Sequence, residues 1–110
     1  MAFVRKKVKT FKWPVKVEEP SSTNSGQFEQ SEFIATFKRI KASDLKGVES
    51  QEGTDILKQV LVGWEGINDE DGKAIEFSEE ELENLSDDID WLKSVLAAYT
   101  TTYAEVQSGN

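Results

Sequence analysis

Residues 64–82 read WEGINDEDGKAIEFSEEEL, and this stretch sets out a turn, an extended piece and a helix start in nineteen positions. Asn68-Asp69-Glu70-Asp71-Gly72 has the composition of a tight polar turn, in which Gly72 is free to take positive φ and the Asx side chains can bond their own backbone. Ile75 and Phe77 flank Glu76 as an extended segment expected to pack both apolar side chains. Ser78 with Glu81 three residues later forms the S-x-x-E capping box, and Glu79 and Glu80 add negative charge at the positive end of the helix dipole. The stretch holds no catalytic arrangement, which points to a small binding protein.

Working back toward the N-terminus, Phe11, Trp13, Val15 and Val17 alternate with Lys12, Pro14 and Lys16, the period-two pattern of a strand with one buried face. Pro14 removes a ladder donor, so this strand belongs at a sheet edge or carries a bulge. EPSSTNSG, residues 19–26, is a breaker cluster read as a mobile loop joining a long hairpin. A second strand is expected over Phe33–Ile40, apolar on both parities. Ser43 then caps a short helix to Ser50, weakened by Gly47. Thr54 caps the next helix, whose buried face is Ile56, Leu57, Val60, Leu61 and Trp64, and Gly63 and Gly66 end it.

Beyond the quoted stretch, Leu82, Leu85, Ile89, Leu92, Leu96, Tyr99 and Tyr103 step by three and four. One continuous helix would explain the spacing, but Ser86-Asp87-Asp88 is also a cap cluster. A break is favoured, with a longer helix from about Asp88 to Ala104, because Trp91 and Val95 widen the later apolar face. Ser108-Gly109-Asn110 should fray. The expected fold is α+β, a single domain over 1–110, in which a β-hairpin region (1–41) packs against three or four α-helices (42–107).

Composition narrows the chemistry. A chain of 110 residues buries a modest core and is too small for a large substrate cleft. It contains no cysteine and no histidine, so disulfides, thiolate metal sites and the commonest general base are absent from the sequence. No catalytic residue, cofactor or metal ligand is therefore assigned. An EF-hand reading of Asn68–Glu79 fails on register: one alignment puts Ile67 at the first ligand position and Ser78 at the twelfth, and the other puts Lys73 where the turn glycine belongs. No apolar run reaches the roughly 20 residues of a membrane span or the core of a signal peptide, so no membrane association is expected.

Charge is unevenly placed. Residues 1–46 carry ten Lys or Arg against five acids, net +5, and residues 47–110 carry three lysines against sixteen acids, net −13. Such halves attract each other within the fold or between subunits, so self-association is an open expectation. Arg5, Lys6, Lys7, Lys9, Lys12 and Lys16 interleave with Phe11 and Trp13 as in a single-strand nucleic-acid groove. The shared parity of Phe11 and Trp13 with Val15 and Val17 sends the rings to the core instead, so no nucleic-acid partner is assigned.

The stretch around Trp64 resembles the second half of the tail assembly chaperones of long-tailed bacteriophages, where a tryptophan-glycine segment leads through an acidic turn and an "FS" helix start to an "AAY" helix. The matching residues are Trp64, Glu65, Gly66, Gly72, Ile75, Phe77, Ser78, Leu82, Ala97, Ala98 and Tyr99. In the front half, Phe33, Phe37 and Lys38 are similar to the family's strand, and Ala42-Ser43-Asp44-Leu45 to its first helix start. The resemblance implies a non-enzymatic protein of the host bacterial cytoplasm. Its partner would be the tape measure protein, kept soluble while the tail tube assembles, and a frameshifted longer product would engage the tail tube protein. Two other readings stand beside it: a structural virion component such as a tail tube or head-tail connector subunit, and an acidic DNA mimic. From helical spacing, Leu92, Leu96, Tyr99 and Tyr103 are the candidate partner-binding residues, although core packing is the commoner explanation for two tyrosines placed in this way.

Overall fold

The computed structural model describes residues 2–3, 10–39 and 53–107, the side chains of 103–107 excepted. The expected helix over Ser43–Ser50, the cations from Arg5 to Lys9, the Tyr103 side chain and the terminal Ser108–Asn110 lie outside the described residues.

Strands β1 (Thr10–Pro20) and β2 (Phe28–Lys38) pair antiparallel from Thr10↔Lys38 to Pro20↔Phe28. Alternation decides which face is covered: Val15 and Val17 on β1, and Phe33, Ala35 and Phe37 on β2, are buried, with Phe11 and Trp13 half-buried on the same face. Lys12 and Lys16 point to solvent. The sheet order is β1-β2-β3, so β1 with its Pro14 is an edge strand, as its missing donor requires. Two boundaries differ from expectation. Glu19 and Pro20 continue β1 instead of opening the loop, and β2 begins at Phe28.

Helix α1 (Gly53–Val60) is followed without a loop by β3 (Leu61–Glu65), which pairs antiparallel with β2. The sequence reading carried the helix on to Trp64, within a region taken as wholly helical, and the structure replaces its last turn with a strand. The cause is visible in the register. Leu61 lies opposite Phe37 and Trp64 opposite Ala35, so both cover core positions of β2. Residues three apart share a face in a helix and take opposite faces in a regular strand. A register shift between Thr36 and Phe37 leaves Val62 as the extra residue of a bulge, which returns Leu61 and Trp64 to the same side. Leu61 is buried and Trp64 nearly so, while Val62 is exposed. A helical spacing is thus satisfied by a bulged strand.

Helices α2 (Glu79–Ser86) and α3 (Ile89–Gln107) follow. Ser78 Oγ accepts from the Glu81 amide at 3.1 Å, the cap the sequence called for, while the Glu81 carboxylate accepts from Asn84 Nδ2 at 2.9 Å. The break expected near Ser86-Asp87-Asp88 is present. Asp88 Oδ1 accepts from the amides of Asp90 and Trp91, starting α3 anew and leaving Ile89 at the surface. The molecule is therefore α+β, a three-stranded antiparallel sheet with three helices among the described residues. α3 packs along β1, and α1 packs against β3, β2 and both other helices. Full burial of side chains such as Phe37, Leu57, Leu82 and Val95 contributes about 1.5–3 kcal/mol for each large apolar residue, so this layer fixes the fold.

Candidate partner-binding surfaces

The residues of the Trp64–Leu82 stretch converge on one cluster. Trp64 Nε1 donates to the Ile75 carbonyl at 2.7 Å, and its ring meets Phe77 edge-on at 4.9 Å and Trp91 at 6.1 Å. Trp91 in turn stacks on Phe33, with ring centroids 6.0 Å apart. Between Trp64 and Ile75 the chain reverses through the acidic turn. Asp69 Oδ1 accepts from the amides of Asp71 (2.9 Å) and Lys73 (3.0 Å), and the Gly72 amide donates to the Asp69 carbonyl at 3.0 Å. Gly72 takes φ +82, as the turn needs, and Gly66 takes φ +91 beside the backbone of Phe33. The best-placed carboxylate of this loop is occupied by its own backbone. Among the described residues, no group of three or more acidic side chains is arranged to hold a metal ion.

The four residues expected to bind a partner do not form one exposed strip. Tyr99 lies in the core at 2% exposure, its ring edge-on to Phe37 at 5.0 Å and its hydroxyl donating to the Lys38 carbonyl at 3.3 Å. Leu92 and Leu96 are half-buried at the α1–α3 seam, where a Cβ placed on Gly53 would stand 2.7 Å from Leu96 Cδ1 and 3.6 Å from Leu92 Cδ1. Only Tyr103 has its side chain outside the described residues. The most buried line of α3 is Trp91, Val95 and Tyr99, and Leu92 and Leu96 flank it. Of the apolar face that the sequence offered to a partner, Tyr99 covers the sheet, and Leu92 and Leu96 pack at the seam with α1. On the solvent side of α3 lie Lys93, Ala97, Thr100 and Thr101, a polar and small surface.

Other features face outward. Phe28 at the end of the β-hairpin is 69% exposed and Ile89 at the start of α3 is 68% exposed. The sequence reading placed Ile89 on the apolar face and did not single out Phe28, although a lone Phe28 set in the polar run Gln27-Phe28-Glu29-Gln30-Ser31-Glu32 is a visible sign of an aromatic with no apolar neighbours to join. Two ion pairs cross elements among the described residues. Lys12 Nζ meets Glu65 Oε1 at 2.6 Å across the outer sheet face, and Lys58 Nζ meets Glu83 Oε1 at 2.6 Å between α1 and α2. The hydrogen bond and charge of Glu83, with smaller help from Asp55 and Glu79, hold the Lys58 ammonium above its ordinary pKa of 10.5. No helix among the described residues is long and apolar enough to cross a membrane.

These features belong to a small α+β fold. No protein-family model, curated protein or solved structure matches the chain.

Proposed function

We propose that this chain is a non-enzymatic tail assembly chaperone of a long-tailed bacteriophage, acting in the host bacterial cytoplasm on a tape measure protein. The observation that carries the reading is the role of the residues behind the resemblance. Trp64, Ile75 and Phe77 build one cluster, Gly66 and Gly72 take the positive φ values of its turns, Ser78 caps α2, and Leu82 and Tyr99 are core. Glu65 and Ala97 of the pattern are exposed, but a pattern most of whose members hold parts of one framework supports kinship with the family more than a chance run of common residues would. The large excess of acid in the second half is consistent with a carrier that stays dispersed while covering an aggregation-prone partner.

The tail tube protein is the second partner in this reading, reached through a frameshifted longer product. The reading is tested by the fate of the chain during assembly. It should be present with the tape measure protein in tail intermediates and missing from purified particles; stoichiometric retention in mature particles would make it a structural virion component instead.

A further inference from the structure

The β1–β2 hairpin runs past the rest of the sheet, and its register decides which way the backbone points. The Ser21 amide donates to Gln27 O at 2.8 Å, so the pairs at every second step from it, Glu19↔Glu29, Val17↔Ser31 and onward, exchange their hydrogen bonds across the hairpin. The pairs between them direct N–H and C=O away from the partner strand. On β1 the outward set is the even positions from Thr10 to Pro20, and on β2 those from Phe28 to Lys38. Two outward positions of β1, Pro14 and Pro20, have no donor, and with Lys12 and Lys16 they guard that edge against further pairing. The outward side of β2 is covered by β3 only as far as Ile34, opposite Glu65. There Gly66, at φ +91, turns the chain away; a Cβ placed on it would stand 3.6 Å from Phe33 Cα. Phe28, Gln30 and Glu32 therefore point three N–H and three C=O groups into the lane that β3 leaves, about 17 Å long at the usual rise per residue. Among the described residues no main-chain hydrogen bond fills it, and all five residues of Phe28–Glu32 are exposed.

A row of alternating donors and acceptors in the plane of a sheet is matched by an extended chain. A second copy does not fit this lane symmetrically. Setting Gln30 against Gln30 of the other copy brings the end of each β3, beside Ile34, onto the other's turn at Gly26. The next register outward relieves that overlap but sets Glu29 directly against Glu29. The occupant that fits is a lone short strand. Side chains then select among strands, face by face. Phe28, Gln30 and Glu32 share the outer face of the sheet, where the 69% exposed Phe28 ring favours an aromatic or β-branched residue directly opposite and Glu32 disfavours an acid. Glu29 lies on the other face, already opposed to Glu19, and disfavours an acid there as well.

We infer that the Phe28–Glu32 edge of β2 is a docking site for a short extended segment of a partner polypeptide. The segment adds a strand in line with β3, with an aromatic or β-branched residue beside Phe28 and no acid opposite Glu29 or Glu32. The inference goes beyond the proposed function and does not rest on it, since it names a mode of contact and the chemistry of the segment, so the two fail separately. Amide hydrogen exchange on the isotopically labelled full-length chain tests it. In the free chain the amides of Phe28, Gln30 and Glu32 should exchange fast beside the slower Glu29 and Ser31, whose N–H groups are in the hairpin ladder. An end-blocked peptide of threonine, valine and tyrosine at millimolar concentration should protect the fast three and move their signals. A counterpart N-methylated at every residue should do neither. Gln30→Pro removes an outward donor without touching the β1–β2 ladder, and should weaken binding by about tenfold or more while the hairpin signals stay in place. The N-methylated peptide carries the test on the intact protein should that variant disturb the hairpin. Binding that survives N-methylation, protection centred on Lys12–Glu18 of β1, no effect on Phe28–Glu32, or hairpin signals that move with protein concentration alone would overturn the inference, the last by assigning the edge to a second copy.

Discussion

At the scale of single residues, the two buried indoles make opposite use of their N–H groups. Trp64 Nε1 holds the Ile75 carbonyl, whereas Trp91 Nε1 is buried without a hydrogen-bond partner. Replacing each by phenylalanine removes comparable ring volume but different hydrogen bonding. Trp64→Phe should cost the packing loss plus about 1–3 kcal/mol for the carbonyl left without its donor. Trp91→Phe should cost clearly less, because it removes an N–H that has no partner and keeps a ring to stack on Phe33. Urea denaturation of the two variants checks this, and equal costs would contradict the hydrogen-bond assignment. Ser78→Ala should lower stability by about 1 kcal/mol through loss of the cap on α2, read from the same denaturation midpoints.

At the scale of elements, the sequence was most legible where pattern and packing agree. The alternation of Phe11 to Val17 gives β1 and its edge position, Ser78 gives the start of α2, and Ser86-Asp87-Asp88 gives the break before α3. It was least legible at Leu61–Trp64, where a spacing of three belongs equally to a helix and to a bulged strand, and only the uncovered edge of β2 decides between them. The same tertiary dependence governs α3: Tyr99 covers Phe37 of the sheet, while Leu92 and Leu96 fill the seam with α1, so the three do not make one free strip. Deleting Val62 removes the bulge and should turn either Leu61 or Trp64 out of the core. Loss of the cooperative thermal transition is the expected result, against a small change for the exposed point variant Val62→Thr. The α1–α2 ion pair gives a pH signature. Lys58 has a folded pKa raised above 10.5, chiefly by its hydrogen bond to Glu83, so its contribution to stability is complete below that value and is lost as pH rises through the folded pKa. The difference in unfolding free energy between the parent and Glu83→Gln should therefore stay level from neutral pH to about 10 and shrink only at more alkaline pH, with Lys58 titrating nearer its ordinary value in the variant.

At the scale of the whole molecule, the described helices cover one face of a small sheet, and the β1–β2 hairpin runs past that cover with its side chains exposed. Leu96→Asp should therefore act through stability, lowering the denaturation midpoint, because Leu96 packs at the seam with α1. The bacteriophage reading is tested most directly by co-expressing the chain with a long helical tape measure protein from the same genome and separating the soluble fraction by size-exclusion chromatography. A co-eluting complex, with the tape measure protein insoluble when made alone, is the result expected of a chaperone; a tape measure protein that is soluble alone and elutes separately would contradict it.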